Sequence, residues 1–95
     1  MGMKEMYEQK VKTRLDNLNA QLEELAAKAD QATEQAKVQY EQRLEELRGQ
    51  RDAAQEKYEQ LQAAGEAAWQ DLQSGMNGAL DELKEAISEA QSRFE

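Results

Sequence analysis

Apolar side chains recur along this chain at steps of three or four residues, the spacing that places them on one face of a helix. The first half of this apolar stripe comprises Val11, Leu15, Leu18, Leu22, Leu25, Ala29, Ala32, Ala36, Tyr40, Leu44 and Leu47. The second half comprises Ala54, Tyr58, Leu61, Gly65, Trp69, Leu72, Met76, Leu80, Leu83, Ile87, Ala90 and Phe94. Since most of the intervening positions are charged or amide side chains, the pattern predicts an all-α protein with one narrow apolar face.

The last third of the chain carries an 11-residue repeat, in which residues 67–77 align with residues 78–88. Inside it, the stretch "SGMNG" at 74–78 has the composition of a loop. The apolar stripe nevertheless continues across these five residues without a change of phase. We therefore predict helix through 74–78, with a kink left open.

Gly49, near the middle of the chain, is the predicted turning point. A glycine can end one helix in the left-handed conformation, and Asp52 followed by Gln55 resembles a capping box that starts the next. Folding the stripe back about this point opposes Val11 to Ile87, with paired residue numbers that sum to 97 or 98. The sequence thus predicts a long antiparallel helical hairpin with helix 1 at about 3–48, a turn at about 49–51 and helix 2 at about 52–94.

The same mirrored pattern fits a second arrangement, in which two straight helices form an antiparallel homodimer centred on residue 49. In either case two helices share a single seam, and a chain of 95 residues with so thin a core is marginally stable alone. We therefore expect a homodimer, most simply a four-helix assembly, as a single coiled-coil domain over residues 1–95.

Composition excludes most kinds of catalytic chemistry. Cys and His are both absent, which removes disulfides, thiol and imidazole catalysis, and the Cys/His metal sites. Carboxylates occur as consecutive pairs, at 23–24, 45–46 and 81–82, whose members point to different sides of a helix and face solvent. Trp69 and the three tyrosines lie at stripe spacing or beside it and are predicted core residues. We predict no catalytic, cofactor-binding or metal residue, and a non-enzymatic role.

The net charge of −8 disfavours nucleic acid and anionic lipid as partners. The basic residues Lys10, Lys12 and Arg14 are interleaved with Glu8 and Asp16, which also argues against a nucleic-acid site. The longest apolar runs fall far short of a membrane span, and the N-terminus has no signal-peptide core. These features predict neither a membrane span nor a signal peptide, and they disfavour a membrane as partner.

Three segments carry a resemblance to a known group of proteins: "LDNLNAQLEELAAKADQA" at 15–32, "YEQRLEELRGQRDAAQEKYEQL" at 40–61, and "AAWQDL…GALDELKEAISEAQSRF" at 67–94. With these, the chain resembles small bacterial coiled-coil proteins, some of them stress-responsive. The resemblance implies a cytoplasmic helical protein with a stress role and supplies no catalytic residues. The expected function is a structural or protein-interaction protein, with self-association and an unidentified protein partner.

The 11-residue repeats are also similar to those of exchangeable apolipoproteins and of group 3 late-embryogenesis-abundant proteins. This similarity implies an alternative function, an amphipathic helix that covers lipid surfaces or protects during desiccation. The narrow Ala- and Gly-containing face and the scarcity of basic residues beyond residue 65 favour the interaction protein.

Overall fold

The computed structural model describes residues 2–94, which form three α-helices. Helix α1 spans Met3–Asp30, α2 spans Glu34–Ala63 and α3 spans Trp69–Arg93. Short links at 31–33 and 64–68 join them, and the helices pack along one another in a bundle whose Cα atoms extend over 50 × 19 × 17 Å. The predicted all-α class is confirmed.

Hydrogen bonds between helices fix their directions. The Lys4 ammonium donates to the Gln62 carbonyl oxygen, and the Arg51 guanidinium donates to the Asn19 side-chain oxygen. As residue numbers rise along α1, the numbers of the neighbouring residues in α2 fall, so these two helices are antiparallel. Tyr40 near the start of α2 lies against Phe94 just beyond α3, which makes that pair antiparallel as well.

Helices α1 and α3 are consequently parallel. The Tyr7 hydroxyl of α1 bonds to Asn77 of α3, and Arg14 pairs with Asp81, so residue numbers rise together along both helices. Helices α1 and α3 therefore run in one direction along the bundle, and α2 runs in the opposite direction. Gly2 and Phe94 therefore lie at opposite ends of the bundle.

The core consists of residues of the predicted stripe, although Ala32, Ala36, Tyr40, Gly65 and Leu72 are not buried. Every apolar side chain that is buried within residues 2–94 belongs to the stripe, from Val11 to Phe94. No polar or charged side chain of these residues is buried with them. Burying a large apolar side chain of the stripe, such as a leucine, contributes about 1.5–3 kcal/mol and offsets conformational entropy. Contact of these apolar side chains among the three helices therefore supplies the main driving force for folding.

The first link begins without a glycine and ends at a side-chain cap. Gln31 follows α1 with φ −92° and ψ −3°, which is close to helical geometry. Thr33 then adopts φ −63° and ψ 158°, and its hydroxyl oxygen accepts a hydrogen bond from the Ala36 N–H at 3.4 Å. An N-cap threonine satisfies one of the free amide groups at a helix start. This cap at Thr33 starts α2 as a helix distinct from α1.

The predicted turn at 49–51 is wrong, because Gly49 lies inside α2. The chain turns instead at 31–33 and 64–68 and forms three helices rather than the two of the predicted hairpin. The reason is energetic. A helical glycine costs about 1 kcal/mol relative to alanine, which is less than the gain from burying the stripe among three helices.

The predicted opposition of Val11 to Ile87 is also wrong. It requires antiparallel packing between the first and last parts of the chain, whereas α1 and α3 are parallel and Arg14 lies beside Asp81. Any stripe that recurs every three or four residues matches its own mirror image at many positions, so the pattern could not determine direction.

Residues 74–78 are helical throughout, as predicted, and lie within α3. A side chain on Gly75 would meet only the Lys57 Nζ atom at 4.0 Å, and one on Gly78 would meet nothing within 4 Å. The loop-like composition of this stretch is overridden because Met76 and Leu80 are buried on either side of Gly78.

The third helix removes the sequence-based reason for expecting a second copy. Leu15, Leu18 and Leu22, which a two-helix hairpin would leave half covered, are buried within one chain. The homodimer and the four-helix assembly stay predictions.

We expect Gly49→Ala to stabilise the protein by about 1 kcal/mol, because alanine removes the entropic penalty of a helical glycine and its Cβ meets nothing within 4 Å. Urea unfolding followed by circular dichroism measures the change. Gly65→Ala, in the second link, is the comparison variant and should stabilise by about 0.4–1 kcal/mol, because there alanine acts only by restricting the unfolded chain. A loss of stability in Gly49→Ala would restore the turn at Gly49.

Candidate interaction surface

The N-terminal half of α1 exposes two large apolar side chains. Met3 is 75% exposed and Met6 is 51% exposed, although every turn of the same helix also supplies a buried residue from Val11 onward. Both methionines lie off the apolar stripe, on the outer side of the helix. We call this outer side the methionine face and define it by Met3, Met6, Gln9, Lys10, Thr13 and Arg14.

Two open hollows lie on the methionine face. The larger, of about 650 Å³, is lined by Met6, Gln9, Lys10, Thr13 and Arg14. The smaller, of about 200 Å³, is lined by Met3, Met6, Tyr7, Lys10, Trp69 and Gln73, which belong to α1 and α3. The two share Met6 and Lys10 and therefore form one continuous surface over the α1–α3 side of the bundle.

Tyr7 and Trp69 support this surface from behind. Their rings are 5.9 Å apart between centroids, and Trp69 is only 5% exposed. The Tyr7 hydroxyl donates to the Asn77 side-chain oxygen at 2.6 Å and lies 3.1 Å from the Gln73 carbonyl oxygen. This polar contact satisfies the tyrosine where its ring is half-buried, and it fixes the start of α1 against α3.

Burial raises the pKa of the Tyr7 hydroxyl above its ordinary value, and the positive charge of Arg14 opposes the shift. Burial also raises the pKa of Tyr58, with smaller contributions in the same direction from Glu8 and Asp16. In both cases the apolar surroundings disfavour the phenolate. The folded state therefore favours the neutral form of both tyrosines.

The charged side chains that line the two hollows are cations. Lys10 is exposed, whereas Arg14 is half-buried and pairs with Asp81 at 3.0 Å. The positive charge of these lining residues contrasts with the net charge of −8 of the chain as a whole. The surface thus combines exposed thioethers with positive charge.

The opposite end of the bundle is held by a different set of contacts. The rings of Tyr40 and Phe94 stack with centroids 4.1 Å apart, and the Tyr40 hydroxyl donates to the Arg93 carbonyl oxygen at 3.3 Å. The Glu89 carboxylate accepts from Arg93 at 3.0 Å and lies 3.4 Å from the Arg43 guanidinium. Since the two cations share one anion and Arg43 also pairs with Glu46, this cluster anchors the end of α3 to α2.

The carboxylate pairs predicted to face solvent, at 23–24, 45–46 and 81–82, are exposed. Asp81 forms an ion pair with the Arg14 guanidinium and not an acid/base pair with a second carboxylate. Within residues 2–94, no three Asp or Glu side chains come close enough together to hold a metal ion. None of the three described helices is long and apolar enough to cross a membrane.

No family model, curated protein or solved structure matches this chain. The resemblance to small bacterial coiled-coil proteins therefore stays a prediction.

Sequence reasoning placed Trp69 in the core correctly and missed the methionine face. Met3 and Met6 precede the first residue of the stripe, so periodicity had no reference for their orientation. Extending the stripe backwards from Val11 in steps of three or four reaches Glu8 or Tyr7 and then Glu5, Lys4 or Met3, so it leaves Met6 outside the stripe and does not decide the orientation of Met3. That extension was the available signal.

We expect Tyr7→Phe to destabilise the fold by about 1 kcal/mol at neutral pH, because Asn77 loses its hydrogen-bond donor. The raised pKa means that wild-type stability from Tyr7 is complete below pH 10, the ordinary value, and is lost as pH rises beyond it. The deficit of Tyr7→Phe should therefore shrink above pH 10. Urea unfolding of both proteins at neutral and alkaline pH measures it. A deficit that grows with pH contradicts the assignment.

Proposed function

We propose that this chain is a non-enzymatic, prefolded helical module that binds another protein through its methionine face. The observation that carries the proposal is the exposure of Met3 and Met6, at 75% and 51%, in a bundle that buries its apolar stripe. Large apolar side chains grouped on a surface gain free energy when a partner covers them.

The chemistry of the two methionines suits a protein partner. Methionine is unbranched and polarizable, so its side chain adapts to differently shaped apolar surfaces. Met3, Met6, Lys10 and Thr13 follow helical spacing along α1, which matches the ridge of a second helix packed along this one. A partner helix with an apolar face fits this spacing.

The charges select among such helices. Arg14 is already paired with Asp81, so Lys10, which lines both hollows, supplies the positive charge that favours a partner with acidic residues beside its apolar face. Electrostatic complementarity of this kind increases the association rate and discriminates against basic partners. Because the face occupies only the first half of one helix, we expect weak, reversible binding.

We also propose that the chain self-associates and resides in the cytoplasm. The cytoplasmic location is what the resemblance to small bacterial coiled-coil proteins implies. The exposed Val38 and the half-buried Ala32 and Ala36 support self-association, since a second copy could cover the alanines. The stress role implied by the resemblance remains a prediction.

The contact is tested with two synthetic amphipathic peptides that share a leucine stripe and differ only in flanking Glu or flanking Lys. We expect the Glu peptide to bind and the Lys peptide to bind at least about tenfold more weakly. Lys10→Glu should reverse the preference, and added salt should weaken the Glu-peptide complex. Isothermal titration calorimetry measures all four combinations.

Met6→Gln should lower affinity for the Glu peptide, whereas Gln42→Ala, at an exposed position on α2, should leave it unchanged. Equal affinities of the two peptides, or no effect of Met6→Gln, would overturn the proposed face. A parallel titration with phosphatidylcholine vesicles tests the lipid-surface alternative, which binding there in place of peptide binding would support.

A further inference from the structure

The apolar stripe continues through the link between α1 and α2. Five stripe positions are not buried in the bundle, namely Ala32, Ala36, Tyr40, Gly65 and Leu72. Three of the five are consecutive members of the stripe and flank or occupy residues 31–33. The spacing of three and four residues that makes the core is therefore maintained across the link, where Ala32 and Ala36 are only half-buried and Tyr40 is partly covered by Phe94.

The link itself is composed of residues that a helix accepts. Gln31, Ala32 and Thr33 include no glycine or proline, and Gln31 already has near-helical dihedrals of φ −92° and ψ −3°. The Thr33 cap accepts its hydrogen bond at 3.4 Å, which is long for an N–H to oxygen bond. Straightening the link costs one weak cap and adds helical hydrogen bonds across the break.

The register of α1 against α2 places this link at a two-fold centre. The residue numbers of Lys4 and Gln62 sum to 66, and those of Asn19 and Arg51 sum to 70, so opposed residues mirror about position 33 to 35. If α1 and α2 join into one helix, a second such helix laid antiparallel to it restores these contacts between the two chains.

We propose that the chain exchanges α1 with a second copy of itself, the partner that this register fits. In the exchanged dimer, residues 3–63 form one helix, about 90 Å long. Each end holds a three-helix bundle made of α1 from one chain and α2 with α3 from the other. At the centre Ala32 lies opposite Ala36 of the second copy, two small residues that permit close helix approach.

This inference rests on the proposed self-association and gives it a mechanism. Domain exchange reuses contacts that already stabilise the monomer, so it needs no new apolar surface. Short links that can straighten favour it. It does not use the methionine face, which remains exposed in both forms.

Glu34→Pro tests the exchange. Glu34 is the first residue of α2, where proline is favoured, and Thr33 before it has the extended φ −63° and ψ 158° that a residue preceding proline prefers. The variant therefore suits the closed monomer, whereas in the joined helix the proline is internal and breaks it. Glu34→Ala is the matched control, and Thr33→Ala removes the cap.

Each protein is refolded from denaturant at low and at high concentration, and its mass is measured by light scattering. We expect wild type and Glu34→Ala to form dimers at high concentration, about 90 Å long by X-ray scattering. Glu34→Pro should lower the dimer association constant at least about a hundredfold while its melting temperature stays at the wild-type value or above it. Thr33→Ala should raise the constant about 25-fold, because each of the two links that open loses a cap worth about 1 kcal/mol.

A cross-linking arm identifies the contact directly. The chain has no cysteine, so Asn19→Cys and Arg51→Cys can be placed on separate chains, refolded together and joined with a short bismaleimide. Exchanged dimers should give a covalent heterodimer, which Glu34→Pro in both chains should abolish.

A dimer that Glu34→Pro leaves unchanged and that does not cross-link would overturn the exchange and leave self-association standing. A chain that stays monomeric after refolding at high concentration would overturn both. Neither result bears on binding of the Glu peptide at the methionine face, which is measured on the monomer.

Discussion

The structure depends on covering one narrow apolar stripe. A single helix cannot bury such a stripe, and two helices cover it along only one seam. Three successive lengths of the same stripe face one another in this bundle, and Leu22, Leu47 and Leu80 are each removed from water by residues of the other helices. The antiparallel α1–α2 and α2–α3 pairs follow from the short links. Parallel packing of α1 and α3 is then a geometric consequence.

Much of this could be predicted from the sequence because periodicity records which side of a helix is apolar. The all-α class, the membership of the core and the helix through 74–78 all follow from it. The positions of the turns could not be predicted from periodicity, because small differences in folding free energy decide among them. The residues at Gly49 are the most typical of a turn in this chain. The helix is nevertheless interrupted after Gln31, where the local signal is the capping hydroxyl of Thr33, and that signal is weak. A repeating stripe also matches itself in several registers, so the sequence left the direction of packing ambiguous.

The candidate surface was harder to predict for a related reason. Periodicity identifies residues that belong to the stripe and describes the remainder only as solvent-facing. Met3 and Met6 are apolar residues in that remainder, and the basic residues beside them were interpreted by charge alone. The packing of Tyr7 and Trp69 behind them, the hydroxyl bond to Asn77 and the Lys4 bond to Gln62 show that the start of α1 is held against the bundle.

An odd number of helices determines where neighbouring polypeptide is attached. Gly2 and Phe94 lie at opposite ends of a rod about 50 Å long, so anything covalently joined to one end points away from anything joined to the other. A two-helix hairpin would have brought both attachments together. In this bundle the length of the rod separates the two points of attachment, so copies fused in tandem would extend along a line rather than fold back on themselves.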